Sequence, residues 1–304
     1  MFLILKKKSK VSGFTLLFII SIALYGFVNS KTNRFTIYKS EGILGKLEIR
    51  DEPSYTNESV IIRKLLINNT IQTEMQLGTK QSVSEYVRLV EKNLLYLPKG
   101  RAFILGLGGG VVANMFQSHQ YNVTAIEFDS RIIDMATQFF FLNDSVNTIC
   151  ADARYYINNC NEKYNLILFD IFKAEEQPSH VITKESLVKL KTMLDTNGVV
   201  LINTHGYLTG EKGLGTQCML ATLKHAGFDV KICTFSEVEK YRNLLIVASL
   251  KPLDVSLNNE LYQIMYTDLE TINTDNKPIL EALNASANQE FRTLYLNNYI
   301  LRNY

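Results

Sequence analysis

Phe103-Ile104-Leu105-Gly106-Leu107-Gly108-Gly109-Gly110 runs directly into Val111-Val112-Ala113-Asn114-Met115-Phe116. An apolar run, a glycine cluster and a helical pattern predict strand, tight turn and helix, the opening unit of a nucleotide-binding α/β sheet. The spacing narrows the ligand. A dinucleotide fingerprint Gly-x-Gly-x-x-Gly starting at Gly106 needs glycine at position 111, where Val111 stands. Gly106, Gly108 and Gly110 instead suit a ligand without pyrophosphate, whose adenosyl and sulfonium parts lie against bare backbone. A Cβ at such positions would hold the backbone away and resist positive φ.

Downstream, strand-like and helical stretches alternate. Asn122 to Glu127, Asn147 to Asp152, Asn165 to Asp170 and Gly198 to Asn203 read as strands, followed by Asp229 to Phe235 and Asn243 to Leu250. Helical patterns cover Ser130 to Phe141 (with Ser130 as N-cap), about Thr183 to Leu194, and Leu214 to Ala226. This alternation predicts a Rossmann-like, doubly wound seven-stranded sheet with its ligand at the carboxyl ends of the strands. The last two strands, joined without a helix, place an antiparallel strand at or near an edge. Upstream, Phe35 to Tyr38, Gly45 to Ile49, Ser59 to Ile62 and Lys64 to Ile67 are separated by turn residues and predict a small antiparallel β module. Ser82 to Leu95 then has helical spacing, ended by Pro98. The expected organisation is an N-terminal segment (1–30), a β module (31–80), a nucleoside-binding domain (81–250) and a helical tail (251–304).

Three carboxylates end successive strands. Glu127 lies some 20 residues past the first glycine, where a carboxylate can accept both ribose hydroxyls. Asp152, followed by Ala153, suits either an adenine amino group or a helix N-cap. Asp170 ends the fourth strand, where a carboxylate beside a sulfonium can orient an incoming amine and accept its proton. His180 and His205 are assigned no role.

With these residues in place, the chain resembles the spermidine synthase family of aminopropyltransferases, relatives of class I methyltransferases. Leu66-Ile-Asn-Asn-Thr-Ile-Gln72-Thr73 is similar to the family's Leu-x-Asp-Gly-x-x-Gln segment, and Ile104 to Gly110 to its glycine loop. Ala125-Ile-Glu127-Phe-Asp129, Ala151-Asp152-Ala153 and Tyr164 to Asp170 resemble its ribose, adenine and catalytic motifs. The resemblance implies decarboxylated S-adenosylmethionine as donor, with Gln72, Gly106, Gly108, Gly110, Glu127, Asp152 and Ala153 holding it. It also implies Asp170 as catalytic base, a small-molecule amine as acceptor and, often, a homodimer. Glu85 and Tyr86 are what survives of the Asp-Glu-x-x-Tyr-His-Glu segment. Lys173 stands where the family carries an amine-holding aspartate. Like charges about 5 Å apart at an effective dielectric near 20 repel by roughly 3 kcal/mol, a large penalty for a diamine beside Lys173. Asn68 replaces a further aspartate. Two alternatives stand beside aminopropyl transfer: methyl transfer from S-adenosylmethionine, whose carboxylate Lys173 could face, and a non-catalytic nucleoside-binding scaffold.

The 304 residues include 46% hydrophobic and 20% charged residues, with a net charge of +2, and give no basis for a nucleic-acid partner. Lys6, Lys7, Lys8 and Lys10 precede an apolar run of about 18 residues, Val11 to Val28, near the minimum for a membrane span. An uncleaved membrane anchor is the leading expectation, with a cleaved signal peptide or a buried helix as alternatives. Lys31, Arg34 and Lys39 on the other flank leave the side of the membrane open. The Pro178-Ser-His180 loop and Thr274 to Pro278 also resemble divergent, membrane-associated members of the group. Cys150, Cys160, Cys218 and Cys233 lack metal-ligand spacing. Buried reduced thiols and no metal are expected.

Overall fold

The structure, a computed structural model, describes residues 17, 18, 20, 21, 35–172, 177–234, 242–252, 262–263 and 270–303. Side chains are described for all of these except 242, 262, 263 and 294–303. The expected anchor therefore lies almost wholly outside the described residues. Among them, no helix is long and apolar enough to cross a membrane.

Five strands form an antiparallel meander: β1 (Thr36–Gly42), β2 (Gly45–Pro53), β3 (Ile61–Ile67), β4 (Thr70–Gln76) and β5 (Gln81–Ser82). The two strands expected at Ser59 to Ile62 and Lys64 to Ile67 are one. Arg63 does not break the run, because its guanidinium pairs with Asp51 on β2 (2.6 and 2.7 Å) and donates to the Phe139 carbonyl. Asn68 and Asn69, at φ 48° and 68°, make the tight turn to β4. Two successive left-handed residues match the right-handed twist of a hairpin, and asparagine tolerates that region.

The second sheet has the order β13-β11-β12-β10-β9-β6-β7-β8. Its strands are β6 (Arg101–Leu105), β7 (Asn122–Glu127), β8 (Asn147–Cys150), β9 (Tyr164–Phe169), β10 (Leu194–Gly206), β11 (Asp229–Cys233), β12 (Arg242–Ser249) and β13 (Tyr262–Gln263). The seven expected strands are present, and the two-residue β13 extends one edge. β8, β7, β6, β9 and β10 run parallel; β12 lies antiparallel between β10 and β11. The helices are α1 (Glu85–Leu94), α2 (Val111–Ser118), α3 (Ser130–Phe140), α4 (Ala153–Asn159), α5 (Lys184–Lys191), α6 (Leu214–His225) and α7 (Leu280–Asn303).

Strand alternation sends neighbouring residues to opposite faces. Phe103, Leu105, Ile167 and Phe169 pack on one side with Leu187 and Leu190 of α5 and Leu220 of α6. Ala102, Ile104, Leu166 and Leu168 pack on the other with Val90 of α1 and Phe116 of α2. Covered on both faces, the central parallel strands β6 and β9 are largely apolar, as burial demands. The meander attaches through Leu47, Ile49, Leu65 and Met75, which bury against Ile132, Met135 and Phe140 of α3.

Three local expectations are corrected. Asp129, not Ser130, caps α3: its extended backbone lets its side chain accept from the Arg131 amide. α5 is capped by Thr183 and ends at Lys191, because Leu194 already pairs with Tyr164 as the start of β10. Cys150 is exposed rather than buried, since β8 is the last strand of the sheet; Cys160, Cys218 and Cys233 are buried, and all four are free.

Candidate active site

The chain order reverses between β6 and β9, which are neighbours in the sheet. Connections leave these two strands toward opposite sides, opening a crevice at their carboxyl ends. The glycine loop follows β6 and Asp170 follows β9. The Asp170 amide donates to the Leu105 carbonyl at 2.8 Å, so the two strand ends are locked side by side. At Gly106 (φ +92°) a Cβ would lie 2.3 Å from the Asp170 carbonyl oxygen. At Gly108 (φ +51°) it would lie 2.8 Å from Thr73 Oγ1. Only glycine fits either place. Gly110, also left-handed, is the residue from which α2 starts.

Glu127 is buried at the end of β7. Its Oε2 accepts from the Leu107 amide (3.1 Å), and its Oε1 from the Phe128 (2.7 Å) and Asp129 (3.1 Å) amides. Burial pushes this carboxyl above its ordinary range, and the three amides work against that push. The expected ribose carboxylate is thus fixed in orientation by the Leu107 amide after β6 and by the two amides that follow it in its own chain.

Asp152 fulfils one of its two expectations directly: it caps α4, with Oδ1 accepting from the Tyr155 amide at 2.8 Å. With Ala153, Gly106, Glu127 and Phe128 it also lines a cavity of about 1020 Å³. That volume is at the upper end for a small-molecule site. The tail, expected only to be helical, closes this cavity on one side with Phe291 and Arg292 of α7. Asn273, fully buried, holds the tail there. Its Nδ2 donates to the Ser179 (2.7 Å) and Ile182 (2.8 Å) carbonyls, and its Oδ1 accepts from the Ile279 amide. Arg154 adds a bridge, donating to Thr183 Oγ1 (2.7 Å) and Asp275 (2.6 Å). His180 lines the same cavity, while His205 stacks between Phe172 and Phe291 at 5.2 and 5.4 Å.

Gly106, Glu127 and Ile67 also border a second, smaller cavity of about 60 Å³. At it stands Asp170, with both carboxylate oxygens engaged. Oδ2 accepts from Tyr86 Oη at 2.9 Å and Oδ1 from Asn203 Nδ2 at 2.8 Å. Burial raises the Asp170 carboxyl, and the donors Asn203 and Tyr86 oppose the rise. The Tyr86 phenol is pushed well up, by burial first and by the adjacent carboxylate second. A carboxylate so placed holds a fixed direction and retains affinity for a proton, which is what a general base at neutral pH needs.

Gln72 and Thr73 reach this smaller cavity from β4, Ser82 from β5 and Ser84 from the N-cap of α1. Thr73 Oγ1 accepts from the Gly109 amide at 2.8 Å, clamping the glycine loop from the other sheet. Glu85 does not arrive. It is the exposed first residue of α1 and lines neither cavity, because Tyr86 turns inward one position later. Its charge lies at the helix N-terminus, where it favours the dipole. Lys173, with residues 174–176, lies outside the described residues.

Sequence reasoning missed Asn203, Thr73, Ser82 and Ser84. Asn203 left a signal: it is the first polar side chain after Val199-Val-Leu-Ile202, on the strand beside β9. Thr73 directly follows the motif-matched Gln72, and Ser82 and Ser84 stand before Glu85 with no role assigned to their side chains. Among the described residues, no group of three or more His, Cys, Asp or Glu is arranged to hold a metal ion.

No family model matches the chain. Over 127 residues it is 35% identical to a polyamine aminopropyltransferase of Vibrio vulnificus, a match covering 39% of this chain and 42% of that protein. Over 131 residues it is 30% identical to an N-terminal histidine N-methyltransferase of Emericella nidulans, covering 40% and 23%. The matched region is less than half the length of either curated relative. Among solved structures, a probable spermidine synthase from Corynebacterium glutamicum superposes with a TM-score of 0.61 at 19% identity, covering 74% of this chain and 83% of that one. This likeness establishes the fold: a Rossmann-like α/β domain preceded by an antiparallel β module.

Proposed function

We propose that the protein is a transferase that moves the aminopropyl group of decarboxylated S-adenosylmethionine onto an amine. The observation that carries this reading is the Tyr86–Asp170–Asn203 arrangement at the smaller cavity beside the glycine loop. The larger cavity takes the nucleoside, with Glu127 toward the ribose and Asp152 and Ala153 toward the adenine. The propyl chain then passes Gly106 into the smaller cavity. There the acceptor nitrogen approaches Asp170, gives it a proton and attacks the carbon beside the sulfonium. The C–N bond forms as the C–S bond breaks, and the electron pair stays on sulfur in neutral methylthioadenosine. Because the leaving group is uncharged, no acid is needed on the sulfur side.

Charge supports the decarboxylated donor. Glu127 and Asp170 are the charged side chains among the described residues lining the smaller cavity. The extra carboxylate of intact S-adenosylmethionine would approach these two acidic side chains, which disfavours it relative to the decarboxylated donor. The likeness to the Vibrio vulnificus protein supports the same reading. Methyl transfer is the second reading, favoured by the 131-residue match to the N-methyltransferase. Calorimetric titration with the two donors in parallel separates them. Tighter binding of the decarboxylated donor, with methylthioadenosine released on adding amines, is the expected result. Preference for the intact donor would transfer the proposal to methyl transfer, and binding of neither would overturn both. Membrane attachment through Val11 to Val28 belongs to the proposal on its sequence alone. Fractionation of the full chain with and without residues 1–30 tests it.

A further inference from the structure

With Asp170 as the base of the transferase reading above, we infer that His205 is its positioning residue, braced by Phe291 of the C-terminal helix. The geometry is two successive rungs between neighbouring strands. β9 and β10 run parallel, and their last registered pair is Phe169 with Ile202. One position further on, Asn203 Nδ2 donates to Asp170 Oδ1 at 2.8 Å. Two positions beyond that, the His205 and Phe172 rings stack, with centroids 5.2 Å apart and planes 18° from parallel. Alternate residues of a strand share a face, so His205 stands on the side of β10 that carries Asn203.

Asp170 to Phe172 form the connection that leaves β9. Its side chains divide between the cavities: Asp170 and Phe172 border the smaller one, Ile171 the larger. A shift of this connection therefore moves the carboxylate relative to both. β10 is the fixed reference, because its pairing with β12 continues through Asn203, His205 and Gly206. The ring stack carries that reference across to the connection.

The stack has a third member. Phe291 lies on His205 with centroids 5.4 Å apart and planes 19° from parallel. Both spacings fall in the range of offset-stacked aromatic pairs. α7 is well seated beside this contact: Ala287 and Asn288, one turn earlier, are buried, and Glu290 forms an ion pair with Lys212. The column thus runs from the tail, past β10, to the connection that carries Asp170. His205 itself borders neither cavity, so it acts on the reaction through the residues it touches. A base that takes a proton from an approaching amine needs its carboxylate held in one place, since a misplacement of about 1 Å can cost roughly 10²-fold in rate.

The test compares His205→Ala, which removes the ring, with His205→Phe, which keeps a ring without a titrating group. Carbon-13 NMR follows the Asp170 side-chain carboxyl through an acid titration, its signal assigned by loss in Asp170→Asn. Tyr86 from α1 and Glu127 at the end of β7, the titratable neighbours at this cavity among the described residues, are the same in both proteins. Loosening the stack weakens the Asn203 hydrogen bond, and a carboxylate that loses a donor titrates at higher pH. A midpoint higher by about half a unit or more in His205→Ala than in His205→Phe is expected, and coincident midpoints would overturn the inference. Kinetics of the full chain supply the second arm. The kcat for amine-dependent release of methylthioadenosine should fall by about tenfold in His205→Ala, with donor affinity within about threefold, and recover in His205→Phe. The loss should vanish in an Asp170→Asn background, because residues that act through one group are not additive. An equal loss in both variants at 205, or one that persists without the Asp170 carboxylate, also overturns it. Should His205→Ala fail to fold, His205→Leu fills the space without a ring and takes its place. Failure to bind either donor would sink the transferase reading alone, since the carboxyl titration reads the placement of Asp170 without turnover.

Discussion

Thr73 Oγ1 accepts the Gly109 amide proton at 2.8 Å across 36 residues of sequence, joining the meander to the loop that would carry the donor. Replacing Thr73 with valine keeps the shape and leaves that amide without a partner, a cost of about 1–3 kcal/mol. Donor affinity in Thr73→Val should fall by about tenfold and return in Thr73→Ser. Calorimetry on the two variants checks this, and an unchanged affinity in the valine variant would remove Thr73 from the loop's support.

Asp170→Asn keeps the hydrogen-bonding size of the side chain and removes the base. The amine-dependent rate should drop by about 10²–10⁴, the usual range for general-base catalysis. Donor binding should stay within about threefold. A variant that loses donor binding and rate together would instead make Asp170 a structural residue.

On the proposed reading, Asn203 bears on the pH profile. Its donor holds the Asp170 carboxyl below the value burial alone would give. In Asn203→Leu that restraint is lost and the carboxyl rises further. A base works only when deprotonated, so the acid limb of kcat/KM should move to higher pH, with the plateau rate less affected. An acid limb that stays in place would assign Asn203 to packing alone.

How much of this was legible in the sequence follows from which interactions are local. The glycine loop, Glu127 and Asp170 declare themselves because a strand end, a tight turn and a carboxylate occupy consecutive positions. The meander was visible as strand-like text, yet Arg63 read as a break because its partners, Asp51 and the Phe139 carbonyl, lie 12 and 76 residues away. The same distance hid the smaller cavity. Ser82, Ser84 and Thr73 become wall residues only when two sheets close on one another. Glu85 and Tyr86 show the limit of motif matching: adjacent helix positions point about 100° apart, so only one of the pair could face Asp170.

Glu127 makes stability fall with rising pH. Its folded carboxyl lies above the ordinary value because burial outweighs three amide donors. The folded state therefore binds the proton more tightly than the unfolded chain. The contribution is fully present below the unfolded value and is lost as pH rises through the folded one. Glu127→Gln removes that titration, so its melting temperature should vary less with pH over this acidic window than the parent's. A parallel course for both proteins would show that another group sets the slope.

Gly106→Ala meets both a left-handed φ and a carbonyl 2.3 Å from the new Cβ. The backbone term alone is about 1–2 kcal/mol, and the contact forces β6 and β9 apart at their ends. A drop of several degrees in melting temperature is expected, together with loss of donor affinity. Thermal denaturation with and without donor reads both effects.

The smaller cavity takes Asp170 and Gly106 from one sheet and Gln72, Thr73 and Ser82 from the other. On the proposed reading, a substitution on the meander therefore bears on the glycine loop through Thr73 as well as on the cavity wall through Ser82.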